Sequence, residues 1–291
     1  MSGKYAYYPG CSLKGTAVDY HLSTLALARS LGIELVEMED WVCCGASPVH
    51  QRNPVLSTGV ANLLLSLAEG VSPQIAVLCA ACYNNLKRAE EEMRKDGRLR
   101  EEAEHLSGVR FNPETRARHF LDILVNDYGL ENLKAKVVRP LSGLRVACYY
   151  GCLLTRPPVV AFDDHEQPSI MENILEAVGA TPVAWTHRLE CCGASHAVPF
   201  TKVVLRLVND ILLSARDAQA DMIACACPLC QANLDLRQKG ILSEYGVRHN
   251  LPAVFFTQLV AVACGVDLKD VKLNKNMVDA RPVLREKVQI S

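Results

Sequence analysis

The sequence predicts an α/β protein made of two copies of one cysteine-rich unit, each with a mainly parallel sheet, in a pseudo-two-fold arrangement. Three observations carry this. Short peptides recur in the same order at a nearly fixed separation. Strand-like and helix-like stretches alternate along both halves. The cysteines, 13 in 291 residues, cluster where strand-like stretches end.

The repeat is explicit. Tyr7-Tyr8-Pro9-Gly10-Cys11 resembles Tyr149-Tyr150-Gly151-Cys152. Cys43-Cys44-Gly45-Ala46-Ser47 recurs letter for letter as Cys191-Cys192-Gly193-Ala194-Ser195. Cys79-Ala80-Ala81-Cys82, then Asn85-Leu86, recurs as Cys227-Pro228-Leu229-Cys230, then Asn233-Leu234. The double cysteine and the final pair both shift by 148 residues, the first cysteine by only 141. The second copy therefore carries seven extra residues between Cys152 and Cys191. This divides the chain into residues 1–142 and residues 143–291, the second including a C-terminal tail.

The elements follow in order. Lys4 to Tyr8 alternates like a strand, and Ala17 to Leu31 reads as a helix ended by Gly32. Leu35 to Met38 is a short strand leading to the double cysteine. Pro54 to Ala68 is a helix by its apolar period, Ile75 to Leu78 a buried strand, and a helix follows Cys82. The second half repeats this with Leu144 to Tyr149, Ile170 to Val178, Thr181 to Trp185, Phe200 to Leu213, Met222 to Ala224 and the stretch after Cys230. Asp96 to Arg118 is charged and weakly periodic, a surface excursion, with Phe120 to Tyr128 as a last helix and Ala135 to Ser142 as linker. Leu251 to Gly265 reads as a buried helix, too short and too interrupted by Thr257 and Gln258 to span a bilayer. The tail after Lys269 has no strong pattern and is free to wrap a neighbour. Cysteines placed just after parallel strands lie where open α/β sheets bind ligands and where helix amides lower thiolate pKa.

Composition narrows the class. Hydrophobic residues make up 49% and charged residues 22%, as in a soluble globular protein. A net charge of −1 leaves no basic footprint for nucleic acid. Met1 to Tyr8 lacks the basic start and long apolar run of a secretory signal, so a reducing, cytoplasmic compartment is expected. There cysteines bind metal or do redox work more often than they form structural disulfides.

Ten cysteines belong to the repeat: Cys11, Cys43, Cys44, Cys79 and Cys82, then Cys152, Cys191, Cys192, Cys227 and Cys230. One C-x-x-C is weak evidence for metal, since redox sites share it; two at matched offsets are strong. Structural zinc takes four ligands, and so does a cubane iron–sulfur cluster. Five thiols per site exceed both needs and suggest an enlarged or opened cluster, with a spare thiol around zinc as the alternative. Adjacent side chains such as Cys43 and Cys44 diverge, which suits two metals of one cluster better than one ion.

The patterns C-x31-C-C-x34-C-x2-C and C-x38-C-C-x34-C-x2-C resemble the cysteine-rich "CCG" domain. Two copies over this length, with no fused ferredoxin segment, resemble the family of heterodisulfide reductase B subunits. That resemblance implies two noncubane [4Fe-4S] clusters, one per set of five cysteines. It implies a small mixed disulfide cleaved or formed between them, with each cluster capturing one sulfur. It also implies a ferredoxin-like C subunit carrying cubane clusters and a flavin-containing A subunit. The chain has no C-x2-C-x2-C-x3-C-P run and no G-x-G-x-x-G, so electrons must pass through a partner. Gly10 to Gly15 has phosphate-loop glycine spacing but lacks the lysine. Similar two-copy subunits also serve as the electron-transferring, membrane-associating subunit of succinate or fumarate:quinone oxidoreductases, and CCG domains occur in lactate- and glycolate-oxidation subunits.

Other residues are weighed against ordinary roles. Cys148, Cys225 and Cys264 have no cysteine counterpart in the first half and read as core. His50, His187 and His196 lie near double cysteines and can donate a proton to a leaving thiolate; His196 is the best placed, although loop polarity explains each. Lys14 and Arg156 can meet an anionic substrate tail or be plain surface charge. Gly45 and Gly193 read as positions of positive φ or close approach. Glu190 reads as structural, Trp41 and Trp185 as packing. The seven extra residues are placed in the stretch from Arg156-Pro157-Pro158 to Phe162-Asp163-Asp164-His165-Glu166, before a helix beginning near Pro168. There they can wall a cleft between the halves, with Arg156 facing an anion.

Two five-thiol sets predict about eight irons per chain in anaerobically purified protein. Metal analysis returning one or two zincs and negligible iron contradicts the cluster reading.

Overall fold

In the computed structural model, residues 3–45 and 52–290 are described. Each half forms a four-stranded, wholly parallel sheet. In the first, β1 (Lys4–Tyr8), β2 (Glu34–Glu37), β3 (Gln74–Val77) and β4 (Arg116–His119) lie in the order β2-β1-β3-β4. In the second, β5 (Arg145–Tyr149), β6 (Thr181–Pro182), β7 (Met222–Cys225) and β8 (Ala253–Phe255) lie in the order β6-β5-β7-β8. Helices return the chain between strands, which is what parallel pairing requires. The central strands are buried on both faces: all of Met222–Cys225 is buried, and Lys4–Tyr8 except its first residue.

The fourth strand of each sheet departs from the sequence reading. Asp96 to Arg118 is not one irregular excursion. Asp96 caps a helix over Gly97–Ser107 by accepting from the Arg98 and Leu99 amides at 3.0 and 3.1 Å. That helix packs on Pro54–Ala68, where a side chain at Gly59 would meet Leu106 at 2.6 Å. The chain then enters β4, whose arginines alternate with buried Ala117 and His119. Leu251 to Gly265 begins as β8 and only then becomes the buried helix Phe256–Ala263. An apolar run of three residues carries no period that separates strand from helix.

The two halves interlock about the pseudo-two-fold axis. Val77 pairs with His119, and Cys225 with Phe255, at equivalent strand ends. Tyr20 of the first half stacks on Phe255 of the second, with centroids 4.0 Å apart and planes within 4°. Phe162 of the second half stacks on His119 of the first, at 5.7 Å and 4°. Tyr20 and Phe162 are thus matched, as are Phe255 and His119. Ser23 and Thr24 meet the Thr257 hydroxyl at 3.1 and 3.3 Å.

The extra residues of the second half lie between Cys152 and the helix Ile170–Ala177. They run across the first half, where Asn84 Nδ2 donates to the Leu153 and Arg156 carbonyls, both at 2.7 Å, and the Tyr83 hydroxyl donates to Val160 O at 2.6 Å. In the linker, the Val138 and Arg139 amides both reach Ala263 O at 3.0 Å. The tail after Lys269 wraps its own chain: the Met277 and Val278 amides donate to Asp235, Asn276 Nδ2 reaches Ala253 O, and Arg281–Val288 is helical.

Candidate metal centre

All strands point the same way within each sheet, so their carboxyl ends share one edge, and the repeated cysteines gather there. Cys11 lies in a short helix, Gly10–Lys14, directly after β1; Cys152 follows β5 in a turn. Cys79 is the residue before the first turn of the helix Ala80–Lys95, and Cys82 sits in that turn; Cys227 and Cys230 repeat this on Pro228–Leu236. The double cysteines occupy the loops that follow β2 and β6.

Matching hydrogen bonds fix these loops in both halves. The Tyr8 hydroxyl donates to Val42 O at 2.8 Å, and that of Tyr149 to Glu190 O at 2.6 Å, so each holds the residue preceding a double cysteine. Asn85 Nδ2 donates to Cys44 O at 2.6 Å and Asn233 Nδ2 to Cys192 O at 2.9 Å. Trp41 packs edge-on against Tyr8, and Trp185 tilts against Tyr149. Gly10 and Gly151 have φ of +66° and +65°, and a Cβ there would come within 3.2 Å of Cys82 Sγ and 3.1 Å of Cys230 Sγ. Gly45 and Gly193 adopt positive φ as well, at +70° and +74°.

Within each set the sulfurs are close. Cys44 and Cys82 are 3.2 Å apart, Cys192 and Cys230 3.5 Å, and Cys11 and Cys43 3.9 Å. The Cys79 and Cys227 thiols, one from each half, lie close enough to act on each other, so the two sets adjoin. Among the described residues, no three His, Cys, Asp or Glu side chains are arranged around a single ion. The thiols form a chain of pairs instead. Cys44, Cys79, Cys82, Cys192, Cys227 and Cys230 are buried, while Cys11, Cys43 and Cys191 face outward.

The thiols split into unequal partners: neighbouring thiols and burial push Cys79, Cys82, Cys152 and Cys230 up, while Cys227 and Cys191 are drawn down. Thiols of Cys230 and Cys79, aided by the amides of Cys230 and Leu229, hold the Cys227 thiol well below its ordinary range. Cys191 is drawn down to about 6, first by the Cys152 thiol, then by the Gly193 amide at 3.3 Å and the charge of His196. Thiols packed this closely resist ionisation unless a cation compensates the charge. The donor set, with glycines leaving room at the sulfurs, fits a bulky metal–sulfur group.

The remaining sequence candidates separate. His196 is exposed, packs edge-on against Phe200 and lies close enough to act on Cys191. His187 bonds Thr186 at 2.9 Å instead of a sulfur. His50 lies outside the described residues. Lys14 pairs with Glu37 at 2.7 Å. Arg156 is exposed, one turn beyond Cys152. Cys148 and Cys225 are wholly buried in β5 and β7, and Cys264 ends the helix Phe256–Ala263.

A family model for the cysteine-rich CCG domain matches the chain twice, over residues 5–87 and 146–235. The chain belongs to the cysteine-rich CCG domain family. Among relatives in this family, it is 33% identical, over 96% of its length and 99% of the relative's, to the "8-methylmenaquinol:fumarate reductase membrane anchor subunit" of Wolinella succinogenes. It is 25% identical to the B subunit of the ferredoxin/F(420)H(2)-dependent CoB-CoM heterodisulfide reductase of Methanosarcina acetivorans, over 99% of the chain and 98% of that protein. It is 27% identical to a protein of Archaeoglobus profundus described as like the heterodisulfide reductase B subunit, over 91% of each. A hypothetical protein from Helicobacter pylori shares the fold, with a TM-score of 0.74 at 11% identity, over 94% of this chain and 52% of that one.

One residue of this CCG chain that carries no sequence signal is His119. It is fully buried, and its Nε2 lies 3.0 Å from Leu78 O and 3.3 Å from Ala226 O, the carbonyls preceding Cys79 and Cys227. Nδ1 accepts from the Leu121 amide at 3.3 Å, so Nε2 carries the proton and donates to both carbonyls. Burial lowers its pKa to about 4, which keeps the ring neutral. His119→Phe keeps the stack on Phe162 but leaves those carbonyls without their donor. We expect it to lower unfolding free energy by about 1–3 kcal/mol, and His119→Gln by less, as measured by denaturant titration. Equal stability of His119→Phe and wild type contradicts the bridging role.

Proposed function

We propose that this chain is the catalytic iron–sulfur subunit of a heterodisulfide reductase-type complex, cytoplasmic and partner-bound. The observation that carries this reading is the meeting of two complete five-thiol sets at Cys79 and Cys227. Cys11, Cys43, Cys44, Cys79 and Cys82 would hold one noncubane [4Fe-4S] cluster, and Cys152, Cys191, Cys192, Cys227 and Cys230 the other. Such clusters supply electrons and an iron site for sulfur. Reduction of a mixed disulfide consumes two electrons and two protons and releases two thiols. A site shared by two adjoining metal centres suits a substrate that must split into two sulfur fragments.

The chain's own residues take roles around that site. Burial of the inner cysteines excludes water from the junction. His196, near outward-facing Cys191, would deliver a proton to a departing thiolate. Arg156, exposed on the inserted loop whose backbone is held by Asn84 of the first half, would hold an anionic tail. Electrons would come from a C subunit with cubane clusters, linked to a flavin-containing A subunit.

The relative from Wolinella succinogenes favours a second reading, an electron-transferring, membrane-associating subunit of a succinate or fumarate:quinone oxidoreductase. Among the described residues, no helix is long and apolar enough to cross a membrane. Contact with a bilayer would then be peripheral or through a partner.

Anaerobic protein supplied with a reduced viologen dye and a low-molecular-weight mixed disulfide is expected to release both thiols. Arg156→Ala, and separately removal of seven loop residues, should keep iron but lower turnover roughly tenfold or more, the loss of a charge-assisted contact. No thiol release, with oxidation of a quinol analogue instead, favours the second reading. Unchanged turnover in both variants returns the loop to a structural role.

A further inference from the structure

The Tyr20 hydroxyl is the one wholly buried tyrosine hydroxyl without a partner among the described residues. Tyr7 bonds His21, Tyr8 bonds Val42 O, Tyr83 bonds Val160 O, Tyr149 bonds Glu190 O, and Tyr150 bonds Glu172. A buried hydroxyl left unpaired costs roughly 1–3 kcal/mol, and an orphan of this kind commonly marks a partner other than protein. Tyr20 is not free to turn elsewhere. Its ring lies flat on Phe255 at 4.0 Å and meets Phe256 edge-on at 6.2 Å.

The surroundings of the hydroxyl say what that partner is. Phe255, on which the Tyr20 ring lies, is the register partner of Cys225, two residues before Cys227; Cys227 and Cys79, one from each five-thiol set, are near enough to act on the hydroxyl. Burial keeps the phenol protonated, so it can only be a donor toward negative sulfur. Its pseudo-symmetric counterpart, Phe162, has no hydroxyl. The donor therefore sits at the junction of two otherwise matched sites and has no mate.

We propose that Tyr20 donates a hydrogen bond to sulfur of the metal centre where the two sets adjoin, and so sets the reduction potential there. This rests on the reading that both sets hold iron–sulfur clusters. A donor to cluster sulfur stabilises the more negative, reduced form and raises the potential. Because only one of the two matched places carries a hydroxyl, the two clusters differ in potential although their cysteine patterns agree.

The test is Tyr20→Phe in anaerobically purified, iron-loaded protein, with iron analysis, a redox titration followed by electron paramagnetic resonance, and thermal unfolding. The expected result is full iron content, a fall in the potential of at least one cluster, and no gain in stability. Unchanged potentials overturn the inference, and a rise in unfolding temperature would then identify the hydroxyl as a plain orphan. Loss of iron from a folded variant also overturns it, since a donor that tunes potential is not needed for assembly. A wild-type protein without iron removes the cluster reading itself, which separates the two failures.

Discussion

Two buried thiols, Cys79 and Cys227, meet where the halves join, and the rest of the structure is arranged to keep them there. Each stands at the start of a helix that leaves the carboxyl end of a central parallel strand. A parallel sheet delivers every strand end to one edge, so five cysteines far apart in sequence arrive together. The duplication then doubles the edge, and the pseudo-two-fold axis turns the two edges face to face. Holding thiols in such a place is unfavourable for a bare protein, because burial and mutual repulsion both oppose the charged form. The arrangement makes physical sense when a positively charged metal–sulfur core compensates them.

What surrounds the junction divides into symmetric and asymmetric parts. The tyrosine-to-carbonyl bonds of Tyr8 and Tyr149 and the amide bonds of Asn85 and Asn233 are repeated, and they hold the double-cysteine loops. These are requirements common to both sites. His119 against Phe255, Tyr20 against Phe162, and the inserted loop of the second half are not repeated. They place one polar bridge, one unpaired hydroxyl and one exposed arginine around otherwise equivalent sulfur sets.

Much of this was legible in the sequence because ligand spacing and turn glycines are local. The C-x-x-C pairs, the double cysteines and the shift from 148 to 141 residues marked the cysteines that the fold gathers and the half that carries the insertion. Parallel pairing followed from alternating strand and helix signals. What escaped was set by tertiary context. β4 was hidden because its arginines resemble surface charge, yet Ala117 and His119 alternate inward. β8 was hidden in a continuous apolar run. The tail, patternless in sequence, is ordered by polar bonds to Asp235 and Ala253 O that no periodicity announces. His119 lies far along the chain from every cysteine and carries no motif; only the crossing of the halves brings it to Leu78 and Ala226.

The central claim is that the two halves hold separate metal–sulfur centres flanking one axis. A diffraction experiment on anaerobically grown crystals, with data on both sides of the iron absorption edge, addresses it without reference to activity. The account predicts two iron-rich anomalous peaks, one enclosed by Cys11, Cys43, Cys44, Cys79 and Cys82, the other by Cys152, Cys191, Cys192, Cys227 and Cys230. A single peak on the axis, or a signal at the zinc edge in place of iron, would contradict it.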